Sequence, residues 1–150
     1  MNRRKMDHGV LTCLVLWSLA GSSSAQQELW RVEGLAENEQ LGMAVDTAGD
    51  LNGDGFADVI IGSPLDATNG VGAGKVTVVS GLDGSVLLSG LGGAPGAYAG
   101  AAVGTAGDLN NDGHADIIIG APGDYRATVP KGAVYVVSGL DGTLLPTSWI

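Results

Sequence analysis

Cysteine is nearly absent from this chain: Cys13 stands alone, so no intramolecular disulfide can form. Basic residues are scarce, with seven Lys and Arg against 16 Asp and Glu and a formal net charge of −9. Without a basic stripe to meet phosphates, nucleic acid is excluded as an expected partner. Aromatics number only three Trp, three Tyr and one Phe. No apolar run reaches the roughly 20 residues that span a bilayer, so no transmembrane span is expected. A sustained 3.6-residue period is also missing, which argues against a helical bundle. What is abundant is glycine, 26 of 150 residues. Inside helices each glycine would cost about 1 kcal/mol relative to Ala. Glycine does not recur at every third position, so the chain is not collagen-like. An acidic, glycine-punctuated all-β protein is what remains.

The N-terminus has the layout of a secretory signal peptide over residues 1–25. Arg3, Arg4 and Lys5 form a basic head, Val10 to Ala20 an apolar core, and Ser23-Ser24-Ala25 a small-residue site with cleavage after Ala25. The expected location is therefore secreted or extracytoplasmic. Removal would leave residues 26–150 with four basic and 15 acidic side chains, a net charge of −11. Cys13 would leave with the leader. A small exported domain without disulfides needs another staple, and a metal ion is the natural candidate.

The remainder is one unit written twice. Displaced by 58 positions, Gly42–Leu88 falls on Gly100–Pro146 without a gap, with 29 of 47 residues identical. The best blocks are Thr47–Asn52 with Thr105–Asn110, and Val78–Gly84 with Val136–Gly142. Upstream, Leu29, Gly34 and Ala36 match Leu87, Gly92 and Ala94. Self-similarity at such a period signals a solenoid, propeller or array. The expected organisation is a leading strand and linker over 26–40, a first repeat over 41–98 and a truncated second repeat over 99–150. Each period reads as four short antiparallel strands: Leu41–Thr47, Ala57–Ile61, Lys75–Ser80 and Ser85–Leu88, then Ala99–Thr105, Ala115–Ile119, Ala133–Ser138 and Thr143–Leu145. Four antiparallel strands per repeat is the anatomy of a propeller blade.

The chemistry-bearing residues lie between the first two strands of each repeat. Asp50, Asn52, Asp54 and Asp58, and again Asp108, Asn110, Asp112 and Asp116, place oxygen side chains at positions 1, 3, 5 and 9 of a loop. Glycine at position 6 allows a sharp reversal, and the backbone carbonyls of Phe56 and His114, at position 7, add another oxygen. Three carboxylates among several oxygens suit a hard cation with six to eight ligands, which is calcium, and two ions would move the charge from −11 to −7. The loop is not an EF-hand: position 12 is Ile61 or Ile119 rather than Glu, and a strand follows in place of a helix. The competing account of either turn is an Asp/Asn/Gly loop held by its own side-chain–backbone hydrogen bonds without metal. Two such loops in register favour calcium.

These residues carry a family resemblance. Leu41-Gly42, Gly49 to Gly55 and Asp58 to Pro64 resemble an FG-GAP repeat, and Gly120-Ala121-Pro122 contains the literal GAP of the second copy. Leu41 and Ala99 stand in place of the eponymous Phe, and Ser63 in place of Ala. The resemblance implies blades like those of integrin α-subunit propellers, calcium on the ten loop residues named above, and an adhesion or protein- or glycan-binding role. Family propellers have about seven blades, whereas two repeats of 58 residues make only part of a ring. An incomplete propeller is therefore expected, its further blades supplied by the same or another chain.

No catalytic constellation stands out. His114 is the single histidine after the leader and sits inside a metal loop, and no Gly-x-Ser-x-Gly elbow occurs. Ser80 and Ser138 read as strand-end serines, and Gly70–Gly74 lacks the Gly-Lys-Ser/Thr of a phosphate loop. Tyr125 and Arg126 break the repeat and form a candidate contact patch; no Arg-Gly-Asp and no N-glycosylation sequon is present. A non-catalytic binding segment is expected. Its alternatives are a structural surface or scaffold repeat, or a fragment of a larger secreted propeller attached to a catalytic domain.

Overall fold

The computed structural model describes residues 29–125 and 131–146, and the expected leader lies outside them. Two antiparallel sheets are formed, one per repeat, with no helix among the described residues. None of these residues therefore forms a helix long and apolar enough to cross a membrane. The first sheet has strands β1 (Ala44–Gly49), β2 (Asp58–Ser63), β3 (Lys75–Val79) and β4 (Val86–Leu91), in that spatial order. The second has β5 (Ala102–Gly107), β6 (Asp116–Ala121) and β7 (Ala133–Val137). The all-β reading with incomplete propeller blades is what the molecule shows; the two sheets do not close a ring.

Register follows the repeat. Val45 pairs with Ile61 and Val103 with Ile119; Ile60 pairs with Val78 and Ile118 with Val136. A bulge falls between Thr47 and Gly49 and again between Thr105 and Gly107, where the strand bends into the Asp-rich loop. The first, second and fourth strands start and end one to three residues later than expected, whereas β3 and β7 start where expected and end one residue earlier. Residues Leu41 and Gly42 instead form a turn, with the Gly42 N–H donating to the Gly62 carbonyl at 3.0 Å.

The fourth strand of the second repeat, expected over Thr143–Leu145, is reduced to a single bridge between Val137 and Leu144. In the first sheet Leu88 pairs with Val78. Its counterpart in the second repeat is Pro146, which has no N–H to give to a ladder. Among the described residues the last backbone bond of this segment is from the Leu145 N–H to the Val136 carbonyl, at 2.9 Å.

The hydrophobic core lies between the sheets. Ala48, Leu51, Ile60, Val76 and Val78 of the first repeat meet Ile117 of the second, with Val103 and Ile119 packed alongside. Burial of each Val, Ile or Leu here is worth about 1.5–3 kcal/mol. The sheets approach most closely where β1 and β2 meet β5. There a Cβ on Gly62 would stand 2.0 Å from the Gly100 carbonyl oxygen, so only glycine permits the contact. Towards their outer strands the sheets splay, leaving an apolar cleft of about 330 Å³ lined by Val76, Val78, Leu88, Ile119, Tyr135 and Val137. The connection between repeats is zipped onto the loop before β3: Tyr98 and Ala99 donate to the carbonyls of Gly72 and Ala73 at 2.9 and 3.1 Å.

Candidate functional site

Each Asp-rich loop is organised around the backbone N–H at its fifth position. The Asp54 N–H donates to Asp50 Oδ1 and to Asn52 Oδ1, both at 3.0 Å. In the second loop the Asp112 N–H donates to Asp108 Oδ1 at 3.0 Å and to Asn110 Oδ1 at 2.9 Å. The first and third side-chain oxygens thus converge on one point in both loops. The second oxygen of Asp50 accepts from Gly55 N–H at 2.9 Å, and that of Asp108 from Gly113 N–H at 3.0 Å. Those glycines have φ of +87° and +91°, the left-handed geometry that closes the reversal. Two residues earlier in the turn, Gly53 at +74° is matched by Asn111 at +59°, asparagine being a non-glycine residue that tolerates this region.

The fifth-position carboxylates are exposed and heavily hydrogen-bonded. Asp54 accepts from the Asn52 amide at 2.8 Å, from Phe56 N–H at 2.8 Å and from the Ser80 hydroxyl at 3.2 Å. The Asn52 amide, then Phe56 N–H and Ser80, hold the Asp54 carboxyl below its ordinary pKa, because these donors favour the charged form. For Asp112 the order is His114 N–H, then the Asn110 amide and Ser138, with the same direction.

The ninth-position acids behave differently. Asp58 and Asp116 are fully buried at the starts of β2 and β6. Asp58 accepts from Leu51 N–H at 2.8 Å and from Gly81 N–H at 3.1 Å; Asp116 accepts from Leu109 at 2.8 Å and Gly139 at 3.3 Å. Each carboxylate therefore fastens its loop to the hairpin after the third strand of its repeat. Burying a carboxylate is tolerable only with such donors.

Of the ten loop residues read from sequence, the first, third and fifth of each loop are brought into mutual hydrogen bonding. The ninth is joined to them through the backbone, and Phe56 and His114 contribute N–H donors at position 7. Among the described residues no three Asp, Glu, His or Cys side chains stand together in an arrangement that grips a metal. Sequence reasoning missed the hairpin's share of the site. Ser80 and Ser138 bond both the fifth-position carboxylate and the N–H of Leu82 or Leu140, and Gly81 and Gly139 reach the ninth. The signal was present in the repeated Val-Val-Ser-Gly-Leu-Asp-Gly, read only as strand and turn. The loops also touch each other, His114 Nδ1 lying 3.2 Å from the Leu51 carbonyl oxygen. Tyr125 is exposed as its patch requires, while Arg126 lies outside the described residues.

The FG-GAP repeat family matches this chain over residues 41–79 and 99–137, the two units that carry the loops. Integrin alpha-6 of Homo sapiens is 33% identical over 140 residues, which is 90% of this chain and 12% of the integrin. Integrin alpha-4 of Xenopus laevis is 32% identical over 132 residues, covering 79% of this chain and 12% of that protein. Integrin alpha-PS5 of Drosophila melanogaster is 36% identical over 107 residues, covering 67% and 10%. The chain spans about a tenth of the length of these curated relatives.

Proposed function

The chain belongs to the FG-GAP repeat family, and we propose that it is an exported, calcium-binding propeller segment that serves adhesion or the binding of an extracellular protein or glycan. The observation that carries the calcium reading is the convergence of the first- and third-position oxygens on one N–H, within 0.1 Å of the same distances in two loops. The donor set fits the ion: it is all oxygen, with three carboxylates and an amide oxygen in each loop. Asp50, Asn52, Asp54 and Asp58, with the Phe56 carbonyl, would hold one calcium. Asp108, Asn110, Asp112 and Asp116, with the His114 carbonyl, would hold the other. When bound, calcium supplies charge neutralisation and rigidity. The chain's own part is to present the oxygens: Gly55 and Gly113 turn the loop, while Ser80 and Ser138 orient the fifth carboxylate. The buried Asp58 and Asp116 lock the loop to the hairpin. Similarity to integrin α subunits and a leader over residues 1–25 support an extracellular setting.

The test is a melting curve with calcium and after chelation. Extracellular modules bind at about 10⁻⁴–10⁻³ M, so about 1 mM calcium should add up to about 1.4 kcal/mol per site. Over two sites that is a rise of about 10 °C at most, which the Asp54→Ala, Asp112→Ala double variant should lose. A melting curve indifferent to chelation would sink the calcium reading.

A further inference from the structure

We propose that Asn52 is a site of spontaneous deamidation, its side-chain amide lost to water through a succinimide closed by the backbone nitrogen of Gly53. The inference is independent of the calcium reading and comes from which glycine N–H groups the fold occupies.

Succinimides close most readily where Asn or Asp precedes glycine, because no Cβ on the following residue obstructs the attacking nitrogen. Six such pairs occur in this chain: Asn52-Gly53, Asn69-Gly70, Asp54-Gly55, Asp83-Gly84, Asp112-Gly113 and Asp141-Gly142. Sequence ranks the two asparagines alike. The structure separates them.

Five of the six glycine nitrogens are taken. Gly55 and Gly113 donate to the Asp50 and Asp108 carboxylates at 2.9 and 3.0 Å. Gly84 and Gly142 donate to the carbonyls of Ser80 and Ser138 at 2.8 and 2.9 Å, and Gly70 to that of Ala67 at 3.0 Å. The four aspartates are besides ionised at neutral pH and offer the ring no leaving group. Asn69 is tied a second time, its amide donating to the Gly92 carbonyl at 2.7 Å. Gly70 itself is wedged against Pro95, whose Cγ lies 2.5 Å from where a Cβ would stand. The Gly53 N–H, by contrast, has no hydrogen-bond partner among the described residues. Gly53 and Asn52 are both exposed, and a Cβ on Gly53 would meet nothing within 4 Å.

The electrophile is prepared as well. The Asp54 N–H donates to Asn52 Oδ1 at 3.0 Å, where it takes up the negative charge that gathers on this oxygen as the ring closes. Asn52 Nδ2 donates to the Asp54 carboxylate at 2.8 Å, a bond on the open loop that water can replace. Hydroxide removes the Gly53 amide proton, and the nitrogen attacks Asn52 Cγ. The Cγ–Nδ2 bond then breaks, and ammonia leaves with a proton from water. A second water opens the succinimide at either carbonyl. One product is aspartate; the other is isoaspartate, whose chain runs through the former side chain and is longer by one methylene. Either adds a negative charge beside Asp50 and Asp54.

The second loop has the same oxygen geometry without the glycine. Asn110 Oδ1 accepts from the Asp112 N–H at 2.9 Å, but Asn111 at φ +59° stands where the first loop has Gly53 at +74°. Its side chain obstructs the ring, so the first loop ages while the second keeps its amide.

The experiment holds the purified, chelated chain at mildly alkaline pH and body temperature. Peptide mapping by mass spectrometry follows the amide-to-acid mass gain at each asparagine, and protein isoaspartyl methyltransferase marks the isoaspartyl product. In the folded chain Asn52 should react at least about tenfold faster than Asn69, since Gly70 must first break its hydrogen bonds and open locally. In urea, where both are plain Asn-Gly pairs, the two rates should come within about threefold. Gly53→Asn installs the residue that the second loop carries in the same backbone region, and should lose most of the gain at position 52 while keeping the wild-type circular dichroism. Equal rates at Asn52 and Asn69 in the folded chain overturn the proposal. So does an Asn52 that stays intact when folded while both react in urea, or a rate ratio that persists unchanged in urea. A Gly53→Asn chain that deamidates at position 52 as fast as wild type overturns it too. The calcium reading is scored by melting temperature, so the two can fail separately.

Discussion

Replacing Gly81 by Ala tests whether the hairpin after β3 is pressed against the Asp-rich loop as tightly as the backbone indicates. A Cβ on Gly81 would stand 1.9 Å from the Ala57 carbonyl oxygen, and a rotamer change cannot move a backbone oxygen. The hairpin must therefore lift. Lifting breaks the 3.1 Å bond from the Gly81 N–H to the buried Asp58 carboxylate. A hydrogen bond to a charged group is worth about 1.5–3 kcal/mol, and overpacking adds about 1–3 kcal/mol. The variant should lose about 3–5 kcal/mol of a total near 5–15 kcal/mol, lowering the melting temperature by about 12–20 °C. Urea unfolding followed by circular dichroism at fixed protein concentration measures it. Trp30 fluorescence provides a local probe, since its indole bonds the Gly81 carbonyl. Gly139→Ala should repeat the effect, its Cβ meeting the Ala115 carbonyl at 1.9 Å. Gly93→Ala is the control, with nothing within 4 Å of the added Cβ, and should stay within about 0.5 kcal/mol of wild type. If Gly81→Ala unfolds at the same urea concentration as Gly93→Ala, the close contact does not exist and the account of the hairpin clamp is wrong.

Two further outcomes follow from single groups. Ser63 carries a buried hydroxyl with no hydrogen-bond partner, where the second repeat has Ala121, so Ser63→Ala should stabilise the chain by about 1 kcal/mol in urea melts; a comparable loss would show that the hydroxyl has a partner. Acid stability should fall through carboxylates held low in the fold: Asp83 by the Ser85 side chain and N–H, Asp141 by the Thr143 N–H and hydroxyl, and Asp54 and Asp112 as above. Their folded pKa values lie below the ordinary 3.8, so the stabilisation is complete above that pH. Below it the unfolded chain binds protons first, and the stabilisation is lost as pH falls through the folded values. In chelated protein the urea midpoint should therefore be flat near about pH 5–6 and decline below about pH 4; a flat profile down to about pH 2.5 would refute the assignment.

Much of the fold was legible because its signals are local. Lys-Val-Thr-Val-Val and Asp-Val-Ile-Ile pair as β3 and β2 with the alternation their β-branched residues demand. The 58-residue displacement assigned each strand its counterpart before any contact was known. The fourth strand of the second repeat was misjudged for an equally local reason that went unweighed: Pro146 at the Leu88 position removes the N–H that would continue the ladder. The loop oxygens were legible because positions 1, 3 and 5 lie within one reversal. The ninth-position acid has a further role that loop spacing does not show: its two oxygens accept from two backbone N–H groups. One of these, on Gly81, is 23 residues distant, beyond the reach of loop spacing.

What no spacing could show is that identical residues do different things in the two repeats. Leu51 is core and Leu109 is surface, although both follow an Asp and precede an Asn in the same turn. Local propensity treats them alike, and so does every hydrogen bond within the loops, since the Leu N–H donates to the ninth-position carboxylate at 2.8 Å in each case. The difference comes from the neighbour: the second sheet lies over Leu51, close enough that a Cβ on Gly139 would touch its side chain at 3.4 Å. A repeat's sequence encodes a face and its complement, and how many faces are covered is settled by what stands alongside. Burial of Leu51 is therefore a property of the two sheets together, and Leu51→Ala should cost about 2–5 kcal/mol in urea melts where Leu109→Ala costs far less; equal losses would refute the account.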